Sequence, residues 1–245
     1  MRYSVLAVAA FAAAALVMPL QAQDDNNLTL GVFVTVRAEN VPEFEEAARD
    51  HAAWHADQND PQAWPAYQAL TGHGEYVILA PDMSFTSMDA LSVGMGADVA
   101  AWASQGAAYT ETEEMVLWAS MPGGNPPPDP NAFPVAQVFE FEIQSNGQPA
   151  VMEGIERFSE AMAEAPFHWQ WSTIVSADGP PSVFIALWFD SFSGMAAMGE
   201  GPAQVMADTY GPEKAAMIMN AFGDAVTMTS SQIWILRPDL SYFPG

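Results

Sequence analysis

Ser84-Phe85-Thr86-Ser87-Met88-Asp89-Ala90-Leu91 returns later in the chain as Ser191-Phe192-Ser193-Gly194-Met195-Ala196-Ala197-Met198. Each apolar position of the first run meets an apolar or small residue in the second. The same ungapped register carries Tyr76-Val77-Ile78-Leu79 onto Val183-Phe184-Ile185-Ala186 and Thr71-Gly72 onto Asp178-Gly179. It also carries Val32, Val34 and Val36 onto Phe139, Phe141 and Ile143. Trp64 to Leu91 is thus written again as Trp171 to Met198, and the chain reads as one supersecondary unit used twice.

Working outward, Leu28 to Arg37 alternates around Val32, Val34 and Val36 and reads as a strand. Asn40-Val41-Pro42-Glu43 carries a cap, a first-turn proline and a capping-box acid, so a helix follows to about Gln58. Its apolar stripe is Phe44, Ala47, Ala48, His51, Trp54 and His55. Trp64 to Leu70 and Tyr76 to Ala80 form two strands across Thr71-Gly72-His73-Gly74. A second helix from Thr86 or Ser87 is predicted to be interrupted at Gly94-Met95-Gly96 and to continue to about Tyr109, and Glu114 to Ser120 closes the unit. The order is β-α-β-β-α-β.

Residues 122–132 are rich in proline and glycine, lack helix and strand character and form a stiff linker between a first repeat, 28–121, and a second, 133–238. The second repeat reads as a strand over Phe133 to Gln144, a helix over Pro149 to Glu164, and hairpin strands over Phe167 to Ser176 and Ser182 to Phe189. A helix broken at Gly201-Pro202 and Gly211-Pro212 and a strand over Gln232 to Leu236 complete it. Between Pro212 and Val226 this half carries an extra amphipathic segment. Met217, Ile218, Phe222 and Val226 share one side of it, a stripe that reads first as ordinary core packing and otherwise as a cover for a sheet edge or a pocket mouth.

The N-terminus has one basic residue, an apolar run from Val5 to Met18 and a small residue before a polar start. That pattern predicts a signal peptide over 1–22 and a periplasmic or secreted protein. No later segment reads as a membrane span. With no cysteine, an exported chain has no disulfide, thiolate nucleophile or Cys-ligated metal. Thirty acidic residues against six basic ones give a net charge of -24, which repels phosphate backbones and makes nucleic acid an unfavourable partner.

A tandem β-α-β-β-α-β duplication resembles the dimeric α/β-barrel superfamily, which includes the antibiotic-biosynthesis-monooxygenase-like proteins. The resemblance implies an α+β fold in which two ferredoxin-like units bring their antiparallel sheets face to face, with helices outside and a cavity between the sheets. It also implies a monomer with a pseudo-dimeric barrel, or a homo-oligomer. The superfamily contains cofactor-free monooxygenases for aromatic substrates, haem-dependent members and members without a known reaction. If Val32, Val34, Val36, Phe139, Phe141 and Ile143 pack under helices, then Phe33, Thr35, Glu140 and Glu142 point into the barrel, with Arg37 at its rim. Buried carboxylates there must be paired, wet or shifted in pKa, and Arg37 is one candidate partner.

Tyr67, Trp171 and Trp188 join Phe33, Thr35 and Arg37 as candidate ligand-binding residues, because aromatic side chains in an enclosed space suit a small apolar or aromatic molecule. His168 with Glu140 or Glu142 is the candidate acid/base pair. His51 and His55 form an H-x-x-x-H pair able to place two imidazoles on one metal, although the sequence signals no third ligand, and packed histidines are the alternative. The residues call for no cofactor. Haem and metal stay open, but neither second helix carries the histidine that the superfamily's haem ligand implies. Three readings follow: an exported protein binding a small apolar or aromatic molecule, a cofactor-independent monooxygenase or isomerase in the same cavity, and a module that docks a partner on the extra second-half helix.

Overall fold

In the computed structural model, which describes residues 27–71, 75–121, 123–165, 170–198 and 201–244, the two halves share one barrel. The first half consists of Leu28–Val36 (β1), Val41–Gln58 (α1), Ala66–Ala69 (β2), Glu75–Met83 (β3), Phe85–Gln105 (α2) and Thr110–Ser120 (β4). The second consists of Val135–Ile143 (β5), Gln148–Glu164 (α3), Gln170–Ser176 (β6), Ser182–Phe189 (β7), Phe192–Ala196 (α4), Pro202–Tyr210 (α5), Pro212–Ala225 (α6) and Val226–Leu236 (β8). The expected leader, His73 and His168 lie outside the described residues.

Within each half the outer strand pairs on β1 or β5, giving the orders β4-β1-β3-β2 and β8-β5-β7-β6. Each half alone would expose two strand edges, with their unpaired N–H and C=O groups. Here β2 pairs with β8 and β6 with β4, so the barrel closes and neither edge remains. The fold is therefore α+β, with two ferredoxin-like units in one closed antiparallel barrel and helices packed outside. Among the described residues, no helix is long and apolar enough to cross a membrane.

The repeat is metrically regular. β1 starts at 28 and β5 at 135, β3 at 75 and β7 at 182, an offset of 107 in each case. The closing strands β4 and β8 start at 110 and 226, an offset of 116. Nine extra residues have thus entered the second half between β7 and β8, where α4, α5 and α6 stand in place of α2. The two breaks in that region follow Gly201-Pro202 and Gly211-Pro212 as the sequence predicts, with each proline opening a helix.

Two features differ from the sequence reading. α2 runs unbroken through Gly94 and Gly96, started by a reciprocal cap in which Ser84 Oγ accepts from Ser87 N at 2.9 Å and Ser87 Oγ accepts from Ser84 N at 2.7 Å. Two helical glycines cost about 1 kcal/mol each, a modest penalty against packing and a sound cap. The closing strands are also longer than their apolar cores. Polar Thr110–Glu114 and Val226–Ser231 pair along β1 and β5, so ladder bonding extends them where side-chain pattern gives no strand signal.

Alternation sorts the side chains. Leu30, Val32, Val34, Phe139 and Phe141 face the helices, while Phe33, Thr35, Glu140 and Glu142 face the barrel interior. Gly31 faces inward beneath the fully buried Trp118, and a Cβ on it would lie 2.1 Å from that indole. Gly31→Ala is therefore expected to destabilise the protein by about 1–3 kcal/mol, the usual cost of overpacking. Urea unfolding checks this, and an unchanged midpoint would contradict it.

The segment after β8 folds back over the first half. Tyr242 N donates to Trp64 O at 3.1 Å, its hydroxyl donates to Asp60 O at 2.7 Å, and Leu240 joins Phe44 in the core. Arg237 holds Glu45 of α1 through both guanidinium nitrogens, Nη2 to Oε2 at 2.9 Å and Nη1 to Oε1.

Candidate functional site

The barrel interior has two zones. Its floor is aromatic: Phe33 lies 5.6 Å from Trp118, 6.5 Å from Phe184 and 6.3 Å from Trp234, centroid to centroid. Tyr67 continues this floor, 5.6 Å from Trp188 and 6.2 Å from Trp234. Above the floor a chamber of about 930 Å³ opens outward, lined by Phe33, Thr35, Phe184 and Trp234 together with five carboxylates. These are Glu75, Glu114, Glu140, Glu142 and Asp178, and no Lys, Arg or His lines it among the described residues, while Glu113 on the same strand as Glu114 turns its carboxylate outward to accept from Trp102 Nε1 at 3.1 Å. Neutral donors meet some of them: Gln232 Nε2 donates to Glu75 Oε2 at 2.7 Å and Ser230 Oγ to Glu140 Oε2 at 3.2 Å.

The residues singled out by sequence therefore divide. Phe33, Thr35, Glu140 and Glu142 share the chamber, and Tyr67 and Trp188 belong to its aromatic floor. Trp171 does not. It lies on the opposite face of β6, buried against Phe158 at 4.9 Å and packed with Met162 and Val205, because odd-numbered positions of β6 point at the helices. Arg37 is not a partner of the interior carboxylates either; it is exposed and its Nε lies 3.5 Å from Glu111. The candidate acid/base partner His168 lies outside the described residues.

A second site lies outside the sheet. In the first half, α1 and α2 pack over β1 and β3 and leave a cavity of about 140 Å³ with apolar walls that include Val34, Phe44, Ile78 and Trp102. His51 and His55, one turn apart on α1, and Asp98 on α2 meet at this cavity. Their ligand atoms all fall within 4.8 Å of one another. His51 Nε2 lies 2.9 Å and His55 Nε2 3.8 Å from Asp98 Oδ1.

Each imidazole is held from behind. His55 Nδ1 donates to Asp60 Oδ2 at 2.8 Å, and that carboxylate also accepts from Trp64 Nε1 at 2.9 Å and Gln62 N at 2.8 Å. His51 Nδ1 donates to Gln105 Oε1 at 3.0 Å, and its ring stacks on Trp54. Burial, followed by the nearby His51, holds His55 below the ordinary histidine pKa, which favours the neutral ring. Sequence reasoning found the histidine pair but not Asp98. No local pattern marks that residue, because it reaches the pair only through the packing of α2 on α1.

The matching cavity in the second half, about 270 Å³, lies between α3, α5, α6 and the outer faces of β5, β6 and β7. Ile218, Met219 and Phe222 of the extra segment close it, so α6 covers a pocket mouth, one of the roles its stripe allows. Met217 departs from that reading, being 72% exposed on the opposite side of the helix. Phe222 packs edge-on against Phe141 at 5.7 Å, so part of the face proposed for a partner is already used inside the molecule.

No protein-family model matches the chain, and no curated protein sequence does. Solved structures do match. A candidate monooxygenase from Lactobacillus acidophilus superposes with a TM-score of 0.56 at 9% identity, over 90% of this chain and 97% of that one. An anthrone oxidase-like protein gives 0.56 at 11% identity, over 88% and 92%. A chlorite dismutase variant from Candidatus Nitrospira defluvii gives 0.55 at 8%, over 89% and 94%. The chain has the dimeric α/β-barrel fold. At these identities the likeness is one of fold alone.

Among the groups used by dimeric α/β barrels, haem is the one whose fit the residues test most directly. The first-half cavity, at about 140 Å³, is smaller than the roughly 300 Å³ at which sites for drug-sized molecules begin. Its two imidazoles are turned onto one carboxylate oxygen rather than toward an open face. The second-half cavity has no histidine among its described lining residues. The chamber's carboxylates would repel haem propionates. Among the described residues, none of the three spaces joins a histidine facing open room to a volume of haem size.

Proposed function

We propose that the protein binds a small organic cation in the barrel chamber, with the apolar or aromatic body of the ligand on the floor and its positive group among the carboxylates. One observation carries this reading: a concave space with aromatic residues at one end holds five acidic side chains and, among the described residues, no cation of its own. Carboxylates brought together in a partly enclosed space raise one another's energy, and a cation relieves that repulsion. The ring faces of Phe33, Phe184 and Trp234 attract the same charge, by about 0.5–2 kcal/mol per well-placed contact. An anion of the same size meets repulsion from every wall. The leader-like N-terminus supports a periplasmic or secreted setting for this binding.

The test is calorimetric titration with benzyltrimethylammonium, benzyl alcohol and benzoate. The ammonium ion is expected to bind about tenfold or more tightly than the alcohol, and benzoate not measurably, with the advantage shrinking near 1 M salt, where the Debye length is about 3 Å. Glu140→Gln with Glu142→Gln is expected to remove most of the preference. Equal binding of all three probes, or a preference untouched by the double substitution, would contradict the proposal.

A further inference from the structure

The duplication supplies an internal comparison for the histidine cluster. Shifted by the repeat offset of 107, His51, His55 and Asp98 fall on Phe158, Met162 and Val205. In the structure these three residues also lie together, Met162 and Val205 buried in one core cluster against which Phe158 packs. The same place in the same supersecondary unit is thus filled by three apolar side chains in one half. In the other it holds two imidazoles and a carboxylate, beside a cavity whose remaining walls are apolar except for Glu113. Packing alone does not require polar groups here.

The hydrogen bonds show what these groups lack. With the two Nδ1 atoms hydrogen-bonded to Gln105 and Asp60, the two Nε2 atoms face the same oxygen, Asp98 Oδ1, and carry lone pairs toward it when both rings are neutral and protonated at Nδ1. That oxygen is buried and accepts no hydrogen bond among the described residues, although His51 Nε2 is 2.9 Å away. With both rings neutral, three acceptors share this space without a donor, an arrangement that costs several kcal/mol unless a proton or a metal ion occupies it. Bonds of about 2.0–2.1 Å to a tetrahedral ion place ligand atoms about 3.3 Å apart; the two N–O distances of 2.9 and 3.8 Å bracket that spacing, and the ligand atoms as a set, within 4.8 Å of one another, would draw together around an ion. The Asp60–His55 bond is also the outer-shell contact that orients metal-ligating histidines.

We propose that His51, His55 and Asp98 form a binding site for one divalent first-row transition ion of the zinc or cobalt type. Two nitrogens and one carboxylate oxygen, without a thiolate, suit borderline ions rather than Cu(I). Three protein ligands leave a coordination position open, the pattern of a site that takes water or a small donor molecule rather than of a closed structural site. That open position faces the cavity lined by Val34, Phe44, Ile78 and Trp102, so a ligand with a short apolar body and a single donor atom fits there. This site is separate from the chamber, and its occupancy does not depend on cation binding there.

The experiment is titration of the chelator-stripped full chain with Co2+, followed by visible absorption. One equivalent is expected to produce the intense ligand-field bands of low-coordinate Co2+, which Zn2+ then abolishes by displacement. Asp98→Asn keeps the side-chain shape and is expected to weaken binding by more than the roughly 10–100-fold typical of outer-shell changes. The combined variant His51→Phe, His55→Met, Asp98→Val copies the second half, and is expected to fold, judged by circular dichroism, while giving no bands. If His51 and Asp98 form a proton-bridged pair and nothing more, one equivalent of Co2+ leaves the wild-type spectrum flat, and the proposal fails. Bands that persist in the combined variant would overturn it equally.

Discussion

Trp118→Ala is expected to destabilise the protein by about 3–5 kcal/mol, the largest effect of any single change considered. Trp118 is fully buried, lies over the bare backbone of Gly31, and meets Phe33 at 5.6 Å and Phe184 at 5.1 Å in edge-to-face contacts. Alanine would leave a cavity whose aromatic walls, fixed by strands on all sides of a closed barrel, have little freedom to collapse inward. Trp118→Phe is expected to cost much less. The indole Nε1 of Trp118 is buried and has no acceptor among the described residues, whereas that of its counterpart Trp234 donates to Gln232 Oε1 at 2.7 Å. Removing the unsatisfied donor recovers part of the lost packing, on the order of 1–3 kcal/mol. Urea unfolding of both variants measures the two terms, and an alanine variant within about 1 kcal/mol of wild type would contradict this account of the floor.

Arg237→Met is expected to cost about 2–3 kcal/mol at neutral pH, because it takes from Glu45 its bidentate partner in a mostly buried pair and leaves only the cation of Arg49, whose Nη2 lies 3.3 Å from Glu45 Oε2. Arg237 sits just beyond the last strand of the second half and Glu45 on the first helix of the first half, so the pair fastens the C-terminal segment across the repeat boundary. Gln68 and Tyr76 extend the network: Tyr76 Oη donates to Glu45 Oε1 at 2.9 Å, and Arg237 Nη1 donates to Gln68 Oε1 at 3.0 Å. The Arg237 guanidinium, aided by the Tyr76 hydroxyl and opposed by burial, holds the Glu45 carboxyl below the usual carboxylate range. A carboxyl depressed in the folded state stabilises fully above its unfolded pKa of about 4.3, and that stability is lost as pH falls through the lower folded value. The gap between wild type and Arg237→Met should therefore be widest near neutrality and narrow below about pH 4. Urea midpoints measured across that range give the slope directly, and a gap independent of pH would contradict the assigned role.

Much of the architecture could be read from the chain because a duplicated sequence states each element twice. The register that places Ser84 on Ser191 holds from β1 through β7. Alternation in β1 and β5 was enough to turn Phe33, Thr35, Glu140 and Glu142 inward. What stayed hidden depends on contacts between elements that are distant in sequence. Trp171 packs under a helix rather than in the chamber because strand parity, not residue type, decides which way an aromatic points. Arg37 turns to Glu111 in solvent, where a long exposed side chain loses less than it would among buried groups. Asp98 sits in a helix that sequence rules would break at Gly94 and Gly96, so its approach to His51 was invisible until α2 was seen to run straight. The extents of β4 and β8 were equally illegible, since polar ends such as Thr110–Glu114 are held by backbone pairing, which leaves no trace in side-chain pattern.

The chamber's preference for positive charge is the central claim, and a crystal structure of the protein with benzyltrimethylammonium tests it most directly. The account expects the aromatic ring against Phe33 and Trp234, with the ammonium group among Glu75, Glu140 and Glu142. A chamber without the probe while it occupies one of the cavities under the helices would contradict it.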